Sequence, residues 1–253
     1  MKKILLLMAA AMLAFAACDK TPKDDPKPDP KPDPEPDPTP VYVAPITIDG
    51  NFEDWATLDA SKVASAKSDP ESPWDAIKEI RVYADEMYVF YYIEYDKAQI
   101  STILEEVTGE DVGLPIRLNI NTDGEFTSGY ASYSLDAYDF ILEGSLAEEK
   151  AWKSFDPTFY QRIDGWQELL ASGNGITSGA GKDNKYEIQL LREIFNSAAS
   201  TSAVPMPMGE VFQTGIRFYT AGWKELGNLP DGAVTEENAK GWGHLLNVTT
   251  VMQ

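Results

Sequence analysis

From residue 41 onward the chain alternates apolar and polar side chains with a period of two. In EIRVYADEMYVFYYIEYD, residues 79–96, this predicts one strand through Ala84, a tight turn at Asp85 and Glu86, and a second strand from Met87 to Glu94. The second strand is apolar on both faces. Met87, Val89, Tyr91 and Ile93 line one and Tyr88, Phe90 and Tyr92 the other, which suits a central strand covered from both sides. LPIRLNINTDG sends Ile116, Leu118 and Ile120 one way and Arg117, Asn119 and Asn121 the other. YDFILEG, KYEIQL, TGIRFYT and LLNVTTV read as further short strands. Helical spacing is confined to AQISTILEEV (98–107), WQELLAS (166–172) and LLREIF (190–195). Many short strands without βαβ alternation predict an all-β antiparallel sandwich, jelly-roll or immunoglobulin-like, with a few short helices in loops.

The first forty residues break this pattern. Lys2 and Lys3 precede the apolar run ILLLMAAAMLAF, which ends in Ala16, Ala17 and Cys18. That run is short of the about 20 apolar residues a membrane span needs, and its basic start and small-residue end predict a signal peptide over residues 1–17. Cys18 is the only cysteine, so no intramolecular disulfide forms. FAAC resembles the lipobox of bacterial lipoproteins, which implies acylation of Cys18 and a lipid anchor as the only membrane contact. Residues 18–40 then become rich in Pro and Asp, with alternating X-Pro dipeptides from Asp25 to Pro40 that hold the backbone extended. At about 3.1 Å per residue this tether reaches on the order of 60 Å. The acidic KDD at residues 23–25 resembles the signal that moves lipoproteins of some Gram-negative bacteria to the outer face of the outer membrane.

Residues 41–253 remain as one domain. They carry 34 acidic and 15 basic residues, a net charge of −19, without a Lys/Arg run. Such a field excludes nucleic acid and anionic lipid as partners of the bulk surface.

ITIDGNFEDW opens this region, with Asp49-Gly50 set for a tight turn and Trp55 for burial against a sheet. The stretch resembles the opening motif of family 9 carbohydrate-binding modules and their DOMON-like relatives. The order of later segments is similar too: IRVYADEMYVFYYIEYD to the first hairpin, PIRLNINTDG to the next strand, DAYDFILEG to the one after, NKYEIQLLREIF to a strand with a short helix, and WGHLLNV to the closing strand. The resemblance implies a sandwich whose concave sheet holds a sugar, often between two tryptophans. Here residues 96–114, where the first clamp belongs, contain no Trp, and TEENAK at the second has no aromatic.

Trp223, in a loop with Gly222 and Gly227, is the aromatic candidate for stacking on a sugar. Alternation puts Arg117, Asn119, Asp139, Glu187, Arg217 and Tyr219 away from the core. If they share a face, they form a polar platform for a glycan. The competing reading is that Arg117 and Arg217 pair with Asp139 and Glu187 to satisfy a covered sheet. Trp74, Trp152, Trp166 and Trp242 fit packing or loop contacts.

Other chemistry finds little support. Asn119, Asn121, Asp123 and Gly124 match the first half of a calcium loop, but Tyr130 stands where the twelfth-position Glu is required. This excludes a helix-loop-helix site and leaves room for a structural calcium; no other cofactor is expected. His244 is the sole histidine, which argues against His-rich zinc sites and Ser-His-Asp triads. GNGITSGAG lacks the Lys and flanking elements of a phosphate loop. The leading expectation is a non-catalytic module that binds polysaccharide or oligosaccharide, anchored on the exterior of the outer membrane and acting beside an outer-membrane protein partner. A structural or protein-binding module and a glycoside hydrolase are the alternatives.

Overall fold

A computed structural model describes residues 41–70, 76–96, 98–99, 114–124, 138–146, 155–162, 166–196, 208–220, 225–230 and 245–252. The chain divides into two units, Met1–Tyr42 and Val43–Gln253. The signal peptide, Cys18, the tether, Trp74, Tyr130, Trp152, Trp223, Trp242, His244 and nearly all of the expected 98–107 helix lie outside the described residues.

The described residues of the second unit form an antiparallel β-sandwich. Its strands are β1 (Ala64–Lys67), β2 (Ile77–Ala84), β3 (Tyr88–Tyr95), β4 (Leu114–Asn121), β5 (Phe140–Leu146), β6 (Thr158–Arg162), β7 (Trp166–Leu170), β8 (Thr177–Lys182), β9 (Lys185–Leu191), β10 (Val211–Tyr219), β11 (Glu225–Leu229) and β12 (Leu246–Thr249). One sheet has five strands in the order β1-β2-β3-β9-β8. The second has seven, in the order β11-β10-β4-β5-β6-β7 with β12 also paired to β10.

The core lies between the sheets and is built by the expected alternation. Val82, Val89, Tyr91, Ile93, Ile188 and Leu190 from the first sheet meet Ile116, Leu118, Ile120, Phe140, Phe212 and Phe218 from the second. Tyr91 carries a hydroxyl into this core and bonds it to Thr214 Oγ1 at 3.0 Å, as a buried polar atom requires.

β3 is central and covered on both faces. Its other face packs Phe90 and Tyr92 against Ile46 and Trp55 from the N-terminal segment, beside the short helix α1 (Asp54–Thr57). The β2–β3 turn is set by Asp85, whose Oδ1 accepts the N–H groups of Met87 and Tyr88, each at 2.8 Å. Arg192 follows β9 in a 3₁₀ turn, Arg192–Phe195, and is buried. Its guanidinium donates to the carbonyls of Asp85, Met208 and Gly209 and to Thr250 Oγ1, joining four stretches of chain distant in sequence.

WQELLAS is strand β7 rather than a helix. Trp166, Leu169 and Leu170 have helical spacing, but the backbone pairs with β6 in the register Phe159↔Leu170 and Gln161↔Gln167. Tertiary pairing overrides so short a pattern. In LLREIF only the last four residues are helical, as the 3₁₀ turn, while Leu190 and Leu191 end β9.

Candidate functional site

The outer face of the seven-stranded sheet, opposite Ile116, Leu118 and Ile120, is polar. Strand register aligns its side chains in rows. Asn228, Arg217, Arg117, Glu143 and Thr158 stand side by side across β11, β10, β4, β5 and β6. Neighbouring strands are about 4.8 Å apart, so the row spans about 19 Å. A second row holds Gly215, Asn119, Ile141, Tyr160 and Glu168, and a third Asn247, Gln213 and Asn121.

Arg117 organises the first row. Its Nε donates to Glu143 Oε2 at 2.6 Å, and its guanidinium lies over the Tyr219 ring at 4.9 Å. The side chains of Arg117 and Glu143 stay 27% and 21% exposed, so the pair is within reach of solvent and of a ligand. Burial alone would lower the Arg117 pKa, but the Glu143 carboxylate and Tyr219 more than offset it and hold the guanidinium above its usual value. Arg217 sits directly opposite Arg117. Like charges in that position are destabilising unless other groups compensate them, as Glu143 does for Arg117. Burial, and then the carboxylates of Glu143 and Glu168, raise the Tyr160 pKa above its usual value.

Beside this row the face becomes buried. Asn119 and Gln213 are each 2% exposed. Gln213 Nε2 donates to Asn247 Oδ1 at 2.9 Å, and the Asn119 carbonyl accepts from Thr214 Oγ1 at 2.9 Å. Among the described residues, Asn119 Oδ1 and Gln213 Oε1 are buried acceptors without a hydrogen bond. Such groups cost stability unless a donor reaches them.

Arg117, Asn119, Arg217 and Tyr219 share one face, whereas Trp223 lies outside the described residues. Glu187 does not belong with them. It sits on β9 in the other sheet, fully buried, where Oε1 accepts the N–H groups of Asp49 at 2.9 Å and Gly50 at 2.8 Å. Trp55 Nε1 donates to its Oε2 at 3.4 Å. Burial pushes the Glu187 carboxyl above its usual range, and these three donors counter only part of that. Alternation correctly turned Glu187 away from the inter-sheet core, but alternation does not say which sheet a strand joins. Asp139 is fully buried as well. Its Oδ2 accepts from the N–H of Thr122 at 2.9 Å and from Thr122 Oγ1 at 3.2 Å. The carboxylate that Arg117 meets is Glu143. Glu143 was visible as the polar position two after Ile141, but only the β4–β5 register brings it to Arg117.

The calcium-like loop is held by its own bonds. Asn121 Oδ1 accepts the Gly124 N–H at 2.7 Å, which makes a tight turn at Gly124 with φ of 72°. Among the described residues no group of three or more Asp, Glu, His or Cys side chains is placed to hold a metal ion.

In comparisons with known proteins, the chain matches no family model and no curated protein.

Proposed function

We propose that this protein is a surface lipoprotein whose sandwich binds a polysaccharide or oligosaccharide on the outer face of the seven-stranded sheet. The observation that carries the reading is the row of Arg217, Arg117 and Glu143 beside Tyr219, solvent-reachable on a face whose next rows hold buried amides. Neutral sugars present many hydroxyls that both donate and accept. A row of fixed guanidinium, carboxylate and amide groups meets both needs without requiring charge on the ligand. An acidic glycan is disfavoured by the domain's charge of −19. The sequence adds the resemblance to family 9 carbohydrate-binding modules, Trp223 as a stacking ring, and the anchor and tether at Cys18 and residues 18–40, which would hold the domain off the outer membrane. No catalytic role is assigned to any residue.

A module that binds a protein partner is the second reading. It is favoured by the absence of Trp from both segments where the resembled family carries its clamp.

Electrophoresis through gels containing a panel of soluble neutral polysaccharides tests the proposal. At least one polysaccharide should retard the domain, and Trp223→Ala or Arg217→Gln should remove the retardation with the melting midpoint nearly unchanged. Retardation by no member of the panel would overturn the glycan reading in favour of the second. Loss of retardation accompanied by unfolding would mark Trp223 as a packing residue.

A further inference from the structure

The opposite sheet ends at β1, whose outer edge carries no second strand pairing among the described residues. Among the described residues β1 pairs only with β2, in the register Ala64↔Val82, Ser65↔Arg81, Ala66↔Ile80 and Lys67↔Glu79. Just beyond, the Ser68 N–H donates to the Lys78 carbonyl at 3.0 Å. Antiparallel pairs alternate, so Ala66 and Ala64 also turn their backbone groups to β2, while Ser65 and Lys67 turn theirs outward. Among the described residues no hydrogen bond meets Ser65 or Lys67 from that side. Protein edges of this kind are usually covered or blunted.

A cavity of about 290 Å³ opens beside the same residues. Trp55, Ala56, Leu58, Ala60 and Val63 make its apolar wall, and Ser65 and Arg81 its polar side. Arg81 is already committed to Glu79 through Nε at 2.8 Å and Nη2 at 3.2 Å, with its guanidinium over Tyr92 at 4.8 Å. Its Nη1 and the Ser65 hydroxyl take no hydrogen bond among the described residues. The cavity thus presents apolar surface with two adjacent donors and no net charge, because Glu79 neutralises Arg81. A carboxylate ligand would leave one uncompensated negative charge in a chain already at −20. A neutral carbonyl next to an apolar group meets the site without that penalty, and a peptide backbone supplies such a carbonyl at every residue.

We propose that β1 is a strand-addition site: an extended peptide segment, neutral or basic, pairs with the backbone of Ser65 and Lys67 and places one apolar side chain in the adjacent cavity. The residue opposite Ser65 in such a pair puts its side chain on the same face as Ser65 and Arg81, which is where the cavity lies. Main-chain bonds supply affinity and the cavity selects the side chain. β1 has only four residues, so binding is modest, with Kd between roughly 10 µM and 1 mM. This site lies on the other sheet from the glycan platform and does not depend on it.

The probe is a set of capped seven-residue peptides of Thr and Lys with a central Leu, Val, Phe or Tyr, added to the isotope-labelled domain. At least one should slow hydrogen exchange at the Ser65 and Lys67 amides. A matched peptide with a central Asp should not. Lys67→Pro removes an outward donor without breaking a β2 bond, and it should weaken binding about fivefold to tenfold. Ala56→Phe, at an exposed position on the cavity wall, should abolish the preference for the apolar side chain while leaving the melting midpoint in place. If no peptide protects Ser65 and Lys67 at about 1 mM, or if binding survives both substitutions, the proposal is wrong.

Discussion

Glu187 decides whether the N-terminal segment holds to the sheet. The segment from Ile46 to Trp55 packs on the outer face of β3, and the Glu187 carboxylate receives its Asp49 N–H, Gly50 N–H and Trp55 Nε1–H. Glu187→Ala leaves these donors without that acceptor. A buried orphaned donor costs about 1–3 kcal/mol, and water can reach part of the Asp49–Gly50 turn, so the expected loss is about 3–5 kcal/mol. Glu187→Gln keeps an oxygen for the two backbone donors but turns an amide NH₂ toward the indole N–H, for about 1–2 kcal/mol. The assay is urea unfolding followed by tryptophan fluorescence, with hydrogen exchange over residues 44–58.

The same substitution has a pH signature. Because burial raises the folded pKa of Glu187, the folded state binds more protons than the unfolded state between about pH 4.3 and that folded pKa. Its contribution is fully present below the lower of these and declines as pH rises through the folded pKa. The advantage of wild type over Glu187→Gln should therefore shrink across that window. A Glu187→Ala loss under about 1 kcal/mol, or an advantage that grows with pH, would refute the role assigned to this carboxylate.

Arg192→Met should cost about 3–5 kcal/mol in urea unfolding, because three carbonyls and the Thr250 hydroxyl lose a buried charged donor. Gly144→Ala should cost about 1–3 kcal/mol by thermal melting, since a Cβ there would stand 2.9 Å from the Phe155 ring and 3.1 Å from Pro157 Cα. Cys18→Ala should move the protein from the membrane pellet to the soluble periplasmic fraction on cell fractionation; retention in the pellet would exclude lipid attachment at that residue.

Much of the fold was legible because its strands bury one or both faces. The double apolar alternation of β3 marks it as central, and the Asp49-Gly50 turn before Trp55 marks a chain laid back on a sheet: Gly50 has φ of 79° and Trp55 is 4% exposed. Strands that bury little were not legible. β8, TSGAGK, has no apolar alternation. Gly179 lies where a Cβ would meet the Tyr186 hydroxyl at 2.7 Å, so close packing, not hydrophobicity, explains that residue. The polar face of the seven-stranded sheet was half legible for a related reason. Alternation along β4 and β10 assigns Arg117, Asn119, Arg217 and Tyr219 to an outer face, but which strands lie beside them depends on long-range pairing. That pairing brings Glu143 and Tyr160 to the face and sends Glu187 to the other sheet.

The central claim is that the polar face of the seven-stranded sheet is where ligand binds, and amide chemical-shift mapping tests it most directly. Titration with an oligosaccharide cut from the polysaccharide that retards the domain should move the amides of Arg117, Asn119, Glu143, Tyr160, Arg217 and Tyr219 while leaving Ser65 and Lys67 in place. Shifts gathered on β1 and β2 instead, or no shifts at saturating sugar, would contradict it.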